Sequence, residues 1–187
     1  MNRINVLAAA AALTAAAVAL PAQSADRRYP INYVKKVEVT HPSRRSAWEN
    51  KDFLNCDDVV LKEEDVWYAL RYMRRISWKS YDPENMGTTG CKGSALVTFK
   101  NGRVLAIGIE PTGRISTGEF DEKMNPTASP PGFYECRPCG ERKMALLKEA
   151  LNRADERRLK RMEAEAQIPP GEAEILLKKA RADRERP

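Results

Sequence analysis

Four cysteines carry most of the chemistry open to this chain: Cys56, Cys91, Cys136 and Cys139. An even count in a chain with an export leader points to two disulfides, for which three connectivities exist. A sharper reading attaches to Cys136-Arg137-Pro138-Cys139, a Cys-x-x-Cys pair that follows a strand pattern and opens a helix pattern. There the helix dipole and the Arg137 guanidinium would lower a thiol pKa, which is the setting of thiol–disulfide exchange. Zinc held by all four thiolates is a third option, but one Cys-x-x-Cys with two distant single cysteines is a weak form of the two-knuckle spacing. Covalent haem is excluded, because Gly140 stands where a histidine must follow the second cysteine.

Other reactive groups are sparse. The one histidine, His41, sits beside Pro42 in a polar stretch and reads as a solvated loop residue. Phosphate-cradling glycine patterns are lacking, and no Ser–His–Asp arrangement can be built on His41. Acids cluster at Asp57-Asp58 and at Glu63-Glu64-Asp65, where paired carboxylates would suit hydrolysis. Helix-start charge already explains the second cluster. Trp48, Trp67 and Trp78, with Tyr68, Tyr72 and Tyr81, concentrate aromatic area around the first helix, most of it read as core. No catalytic residue, cofactor or metal ion is assigned on this pattern. Resemblance of the Cys-x-x-Cys pair to the thioredoxin active site stops at its four residues, because only helix follows where that fold supplies further strands and a cis-proline.

The elements that must position the cysteines are legible from period and punctuation. Arg3 precedes an apolar and small-residue run from Val6 to Leu20, then Pro21 and small residues to Ala25, the three-part plan of a signal peptide over residues 1–24. The run is too short and too Ala-rich for a membrane anchor, and no transmembrane segment is expected once it is removed. Alternation from Ile31 to Thr40 predicts a strand, and Val66, Trp67, Leu70 and Met73 predict a helix over Glu63–Ile76. After a turn-rich loop from Tyr81 to Gly93, Ala95–Phe99, Leu105–Ile109 and Arg114–Phe120 form an antiparallel meander. Its turns are Asn101-Gly102, read as type I′, and Pro111-Thr112-Gly113. A proline-rich loop from Asn125 to Gly132 leads to a short strand at Phe133–Cys136.

From Glu141 to about Gln167 the composition turns helical, with Met144, Leu147, Leu151 and Ala154 as one apolar stripe that thins beyond Ala154. The second half is therefore expected to project into solvent or onto a partner. Pro169-Pro170-Gly171 breaks the helix before a last amphipathic piece from Glu172 to about Asp183. The expectation is an α+β fold: a small antiparallel sheet packed by one helix, stapled by disulfides over residues 25–140. A charged amphipathic helical extension over residues 141–187 completes it.

The chain holds 32 basic and 26 acidic side chains, a net charge of +6 spread over dispersed pairs such as Arg27-Arg28, Lys35-Lys36 and Arg74-Arg75. Aromatic residues do not interleave a basic stripe, so nucleic acid is not expected as a partner. The spaced set Cys56, Asp65-Val66, Cys91, Gly93, Gly102, Ile107, Gly113 and Tyr134-x-Cys136-x-x-Cys139 resembles a group of small exported proteobacterial proteins of unknown function. That resemblance covers residues 56–139 and implies one α+β domain, with no activity or site to carry over. The function expected is that of a periplasmic or secreted, non-enzymatic interaction or structural protein whose C-terminal helix meets a protein or cell-envelope partner. Two alternatives stand beside it: a redox protein or sensor using Cys136 and Cys139, and a binder of anionic envelope lipid or glycan.

Overall fold

Alternating apolar positions can bury one face of a sheet only if something covers that face, and here the first long helix does so. The computed structural model describes residues 26–45 and 54–186. The leader (1–24) and Trp48 lie outside the described residues. The elements, in chain order, are β1 (Val34–Arg45), α1 (Glu63–Tyr72), β2 (Arg74–Arg75), α2 (Trp78–Tyr81), β3 (Cys91–Phe99), β4 (Val104–Ile109), β5 (Arg114–Phe120), β6 (Gly132–Glu135), α3 (Arg137–Ala164) and α4 (Glu172–Glu185). Short 3-10 turns precede β1 (Ile31–Tyr33) and lie at Cys56–Asp58. The strands form one six-stranded antiparallel sheet in the order β1-β3-β4-β5-β6-β2, so the fold is α+β.

Val37, Ala95, Val97, Phe99, Leu105, Ile107, Ile115 and Tyr134 point to one face, where Val66, Ala69 and Leu70 of α1 and Met73 just after it pack on them. Each Val, Leu, Ile, Phe or Met among them, fully withdrawn from water, contributes about 1.5–3 kcal/mol. A second, smaller cluster of Leu54, Cys56, Val59, Cys91, Leu147 and Ala150 joins the start of β3 to the middle of α3.

Several expectations are corrected. β1 begins only after the 3-10 turn and runs on through His41 and Pro42, which are strand rather than loop. Proline is tolerated there because β1 is an edge strand. The register breaks around His41, and the Pro42 carbonyl accepts from the Leu61 N–H at 2.6 Å. The helix expected to reach Ile76 stops at Tyr72, because Arg74 and Arg75 pair with Glu135 and Tyr134 as β2 and close the free edge of β6. The Asn101-Gly102 turn is not type I′: Asn101 keeps negative φ and only Gly102 (φ 82°) is left-handed. The Phe99 N–H donates to the Arg103 carbonyl at 2.9 Å, closing a three-residue loop. β3 starts at Cys91, four residues earlier than expected, and α3 starts at Arg137 with Pro138 in its first turn.

The second half of α3 does not stand alone in solvent. After Ala166 (φ 55°) and Gly171 (φ 85°) reverse the chain, α4 folds back on α3, burying Leu159 and Ala173. Arg184 bonds Asn152 Oδ1 at 2.7 Å and pairs with Asp155, and Arg181 reaches Glu156 at 3.3 Å.

The departure of α3 from the sheet is set by two glycines. Gly113 (φ 86°) takes the Cys136 N–H on its carbonyl at 2.8 Å, and a Cβ there would lie 2.1 Å from the Cys136 carbonyl oxygen. A Cβ on Gly140 would lie 2.6 Å from the Thr112 carbonyl oxygen. Gly113→Ala is therefore expected to cost at least about 2 kcal/mol in urea unfolding, since both the backbone conformation and the contact forbid a methyl. Gly171→Ala, where φ is equally positive but nothing lies within 4 Å, should cost only about 1 kcal/mol.

Candidate functional site

The residues singled out for chemistry converge on the junction of α1, α3 and the sheet. Cys56 bonds Cys91 across a separation of 35 residues, and Cys136 bonds Cys139 across three. This pairing replaces the four-thiolate zinc arrangement, because the two bridges belong to different clusters: Cys136 and Cys139 to the main core, Cys56 and Cys91 to the smaller one. Among the described residues no group of three or more His, Cys, Asp or Glu is placed to hold a metal.

Access differs between the sulfurs. Cys136 is fully buried, whereas Cys139, in the first turn of α3 at 8% exposure, lines a narrow cleft. The cleft is also lined by Leu61, Asp65, Tyr68, Glu110, Arg142 and Lys143, and its volume of about 20 Å³ has room for one water. Its electrostatics come from one cap. Asp65, the third residue of α1, accepts from the Lys62 backbone N–H at 2.9 Å, closing the helix start, while Lys143 Nζ meets the same carboxylate at 2.6 Å. Lys143 also donates to the Val60 carbonyl at 3.3 Å, and the Arg142 guanidinium lies 5.0 Å from the Tyr68 ring centre. These contacts lock α3 to α1 above the Cys136–Cys139 bridge.

The other sequence candidates scatter. His41 is exposed on β1. Asp58 faces Arg153 of α3 at 3.4 Å, a tie between elements rather than a carboxylate pair, and Asp57 hydrogen-bonds the Asn55 side chain. Glu63 accepts from the Trp67 indole at 3.1 Å. Trp67, Tyr68 and Tyr72 pack against the core margin. Trp78 is 60% exposed and packs tilted against Phe133, with ring centres 4.8 Å apart and planes at 58°.

Two polar networks escaped the sequence reading. Buried Arg114 donates to Glu110 at 3.0 Å and twice to the Tyr81 carbonyl, its guanidinium 3.9 Å above the Tyr81 ring, while Glu110 accepts from Thr88 at 2.7 Å. This ion pair fastens the loop that precedes β3. At the opposite end, buried Tyr134 donates to Asp26 at 2.9 Å, Arg28 forks onto the same carboxylate, and Tyr29 donates to Glu119 at 2.7 Å. Burial alone would raise the Asp26 carboxyl, but the donors on Arg28 and Tyr134 outweigh it and hold it below the ordinary carboxylate range. Burial, then the bond to Asp26, pushes the Tyr134 hydroxyl well above its usual range. Only an i, i+4 spacing hinted at Glu110 and Arg114, and that is a helical signal, misleading across a turn between strands.

No family model, curated protein or solved structure matches this chain. What its chemistry defines is therefore read from the geometry alone: a two-layer α+β domain with two internal disulfides and a helical hairpin, and no helix among the described residues long and apolar enough to cross a membrane.

Two outcomes test these assignments. In the chain-entropy account, replacing Cys56 and Cys91 by serine should cost about 4 kcal/mol and replacing Cys136 and Cys139 about 2 kcal/mol, so denaturant midpoints should fall in that order. The lowered Asp26 pKa contributes stability that is present above the unfolded value of 3.8 and lost as pH falls through the folded one, so Asp26→Asn should flatten the acid limb of a stability–pH curve. The raised tyrosines act oppositely, with stability lost as pH climbs above about 10.

Proposed function

We propose that this chain is an exported, non-catalytic interaction protein: a disulfide-stapled scaffold that presents its C-terminal hairpin to a protein partner. The observation that carries the reading is the placement of both bridges inside apolar clusters, which suits cysteines that hold a shape rather than exchange electrons. The leader-like residues 1–24 and the resemblance of the cysteine frame to small exported proteins point the same way.

The surface best suited to a partner is the groove between the second half of α3 and the α4 residues that follow the Gly171 turn, about 630 Å³. Half-buried Leu177 is open at its floor beside the already buried Leu159 and Ala173, and Glu163, Glu174, Lys160 and Lys178 stand at its rim. An apolar floor with mixed-sign rims matches an amphipathic protein helix. An anionic lipid or glycan would instead favour a rim of one sign. The redox alternative draws on the position of Cys139 in its cleft, but Cys136 is fully buried and Cys139 is only 8% exposed, which disfavours attack by the thiolate of a partner protein.

Trapping thiols by alkylation at the moment of lysis, followed by non-reducing peptide mapping of periplasmically expressed protein, is expected to show Cys56–Cys91 and Cys136–Cys139 complete. Abundant free thiol at Cys136 and Cys139, with Cys56–Cys91 intact, would overturn the scaffold reading in favour of redox chemistry. Leu177→Asp in the full chain should abolish partner cross-linking while leaving the thermal midpoint within a few degrees of the parent.

A further inference from the structure

The sheet ends on two unequal edges. β2 closes one with two residues, whereas β1 forms the other with twelve. A long edge strand presents a row of unpaired backbone N–H and C=O groups, which proteins either blunt or use. Between Lys36 and Val39 β1 keeps regular register with β3, and irregularities at Val34/Lys36 and Val39/His41 bracket this stretch. Beyond it Pro42 lacks a donor, so the edge available for pairing is confined to its first half. Val37 points into the core beneath α1, and the alternation therefore places Lys36 and Glu38 together on the opposite face, both well exposed and 2.5 Å apart.

We propose that β1 is a homodimerisation edge, pairing antiparallel with β1 of a second copy about a two-fold axis through Val37. In that register Val37 meets its own counterpart, and the Lys36 of each copy stands opposite the Glu38 of the other. An exposed pair within one strand is worth little, whereas two symmetric cross-strand pairs on one face add directly to sheet pairing. The charge pattern separates this use from simple blunting. Lysines that guard an edge collide when two edges meet, but an acid two positions beyond Lys36 makes the edge complementary to itself under the two-fold operation.

Sedimentation equilibrium of the disulfide-intact protein tests the proposal. The expected result is a concentration-dependent dimer. Lys36→Glu and Glu38→Lys should each raise its dissociation constant about tenfold, because each places like charges across the axis twice. The combined Lys36→Glu/Glu38→Lys variant should restore it, since the opposite charges then merely change places. Both substitutions are at exposed positions, and unchanged thermal melts would confirm that the three variants fold. A monomer at every concentration overturns the proposal. So does a dimer indifferent to the single reversals, as one built through the α3–α4 groove would be, or a double variant that fails to recover.

Discussion

Everything C-terminal to the sheet depends on one close approach of backbone to backbone. The Pro111–Gly113 turn lies against the first turn of α3 with Gly113 and Gly140 as the touching residues, and neither has room for a single methyl. The hydrogen bond from Cys136 to the Gly113 carbonyl then fixes where the helix begins. Because a helix is a stiff rod, the angle set at its first turn is carried along its length. It places Lys143 over Asp65, Leu147 and Ala150 over the Cys56–Cys91 bridge, and Asp155 where Arg184 of α4 can reach it. The disulfide in that first turn, Cys136–Cys139, preserves a geometry the glycines allow.

Charges withdrawn from water are used in this fold as fasteners. Asp65 does two jobs, capping α1 and receiving Lys143, so loss of the carboxylate would leave the Lys62 N–H without its acceptor and the Lys143 ammonium without its counter-ion. The Glu110–Arg114 pair repeats the logic within the sheet, where Glu110 Oε2 also accepts from Thr88 and Arg114 Nε and Nη2 both donate to the Tyr81 carbonyl. Burying such ions is costly in itself, and the opposite charge and the added hydrogen bonds to Lys62, Thr88 and Tyr81 offset that cost. The return is definition: both loops that enter the neighbourhood of the cysteines are held in one arrangement.

A scaffold of this kind leaves its interaction surfaces at the periphery, and they differ in character. The hairpin groove is apolar in its floor and mixed in charge at its rim, with Ile175 67% exposed on the outer side of α4. The β1 edge is polar and repetitive, reading as a template for another strand. Trp78 on Phe133 marks the opposite edge of the sheet.

Much of the secondary structure was legible because its causes are local. Alternation in β3, β4 and β5, helical spacing in α1 and α3, and the Pro169-Pro170-Gly171 break each act within a few residues. The cysteine count likewise indicated two bridges, though not which partners they join. What the local signals could not convey was every outcome that depends on a distant surface. Arg74 and Arg75 leave helical pairing because β6 has a free edge beside them, a fact about residues some sixty positions away. Cys56 finds Cys91 because β1, the 3-10 turn and α3 enclose both, and α4 returns to α3 because the thinning stripe beyond Ala154 still needs cover. Residue types and spacing by themselves determined which segments could be strand or helix and how many sulfurs were available. Only the tertiary structure decided the order of strands, the pairing of cysteines and the depth at which Cys136 lies, because burial is a property of the whole packed chain and not of any window along it.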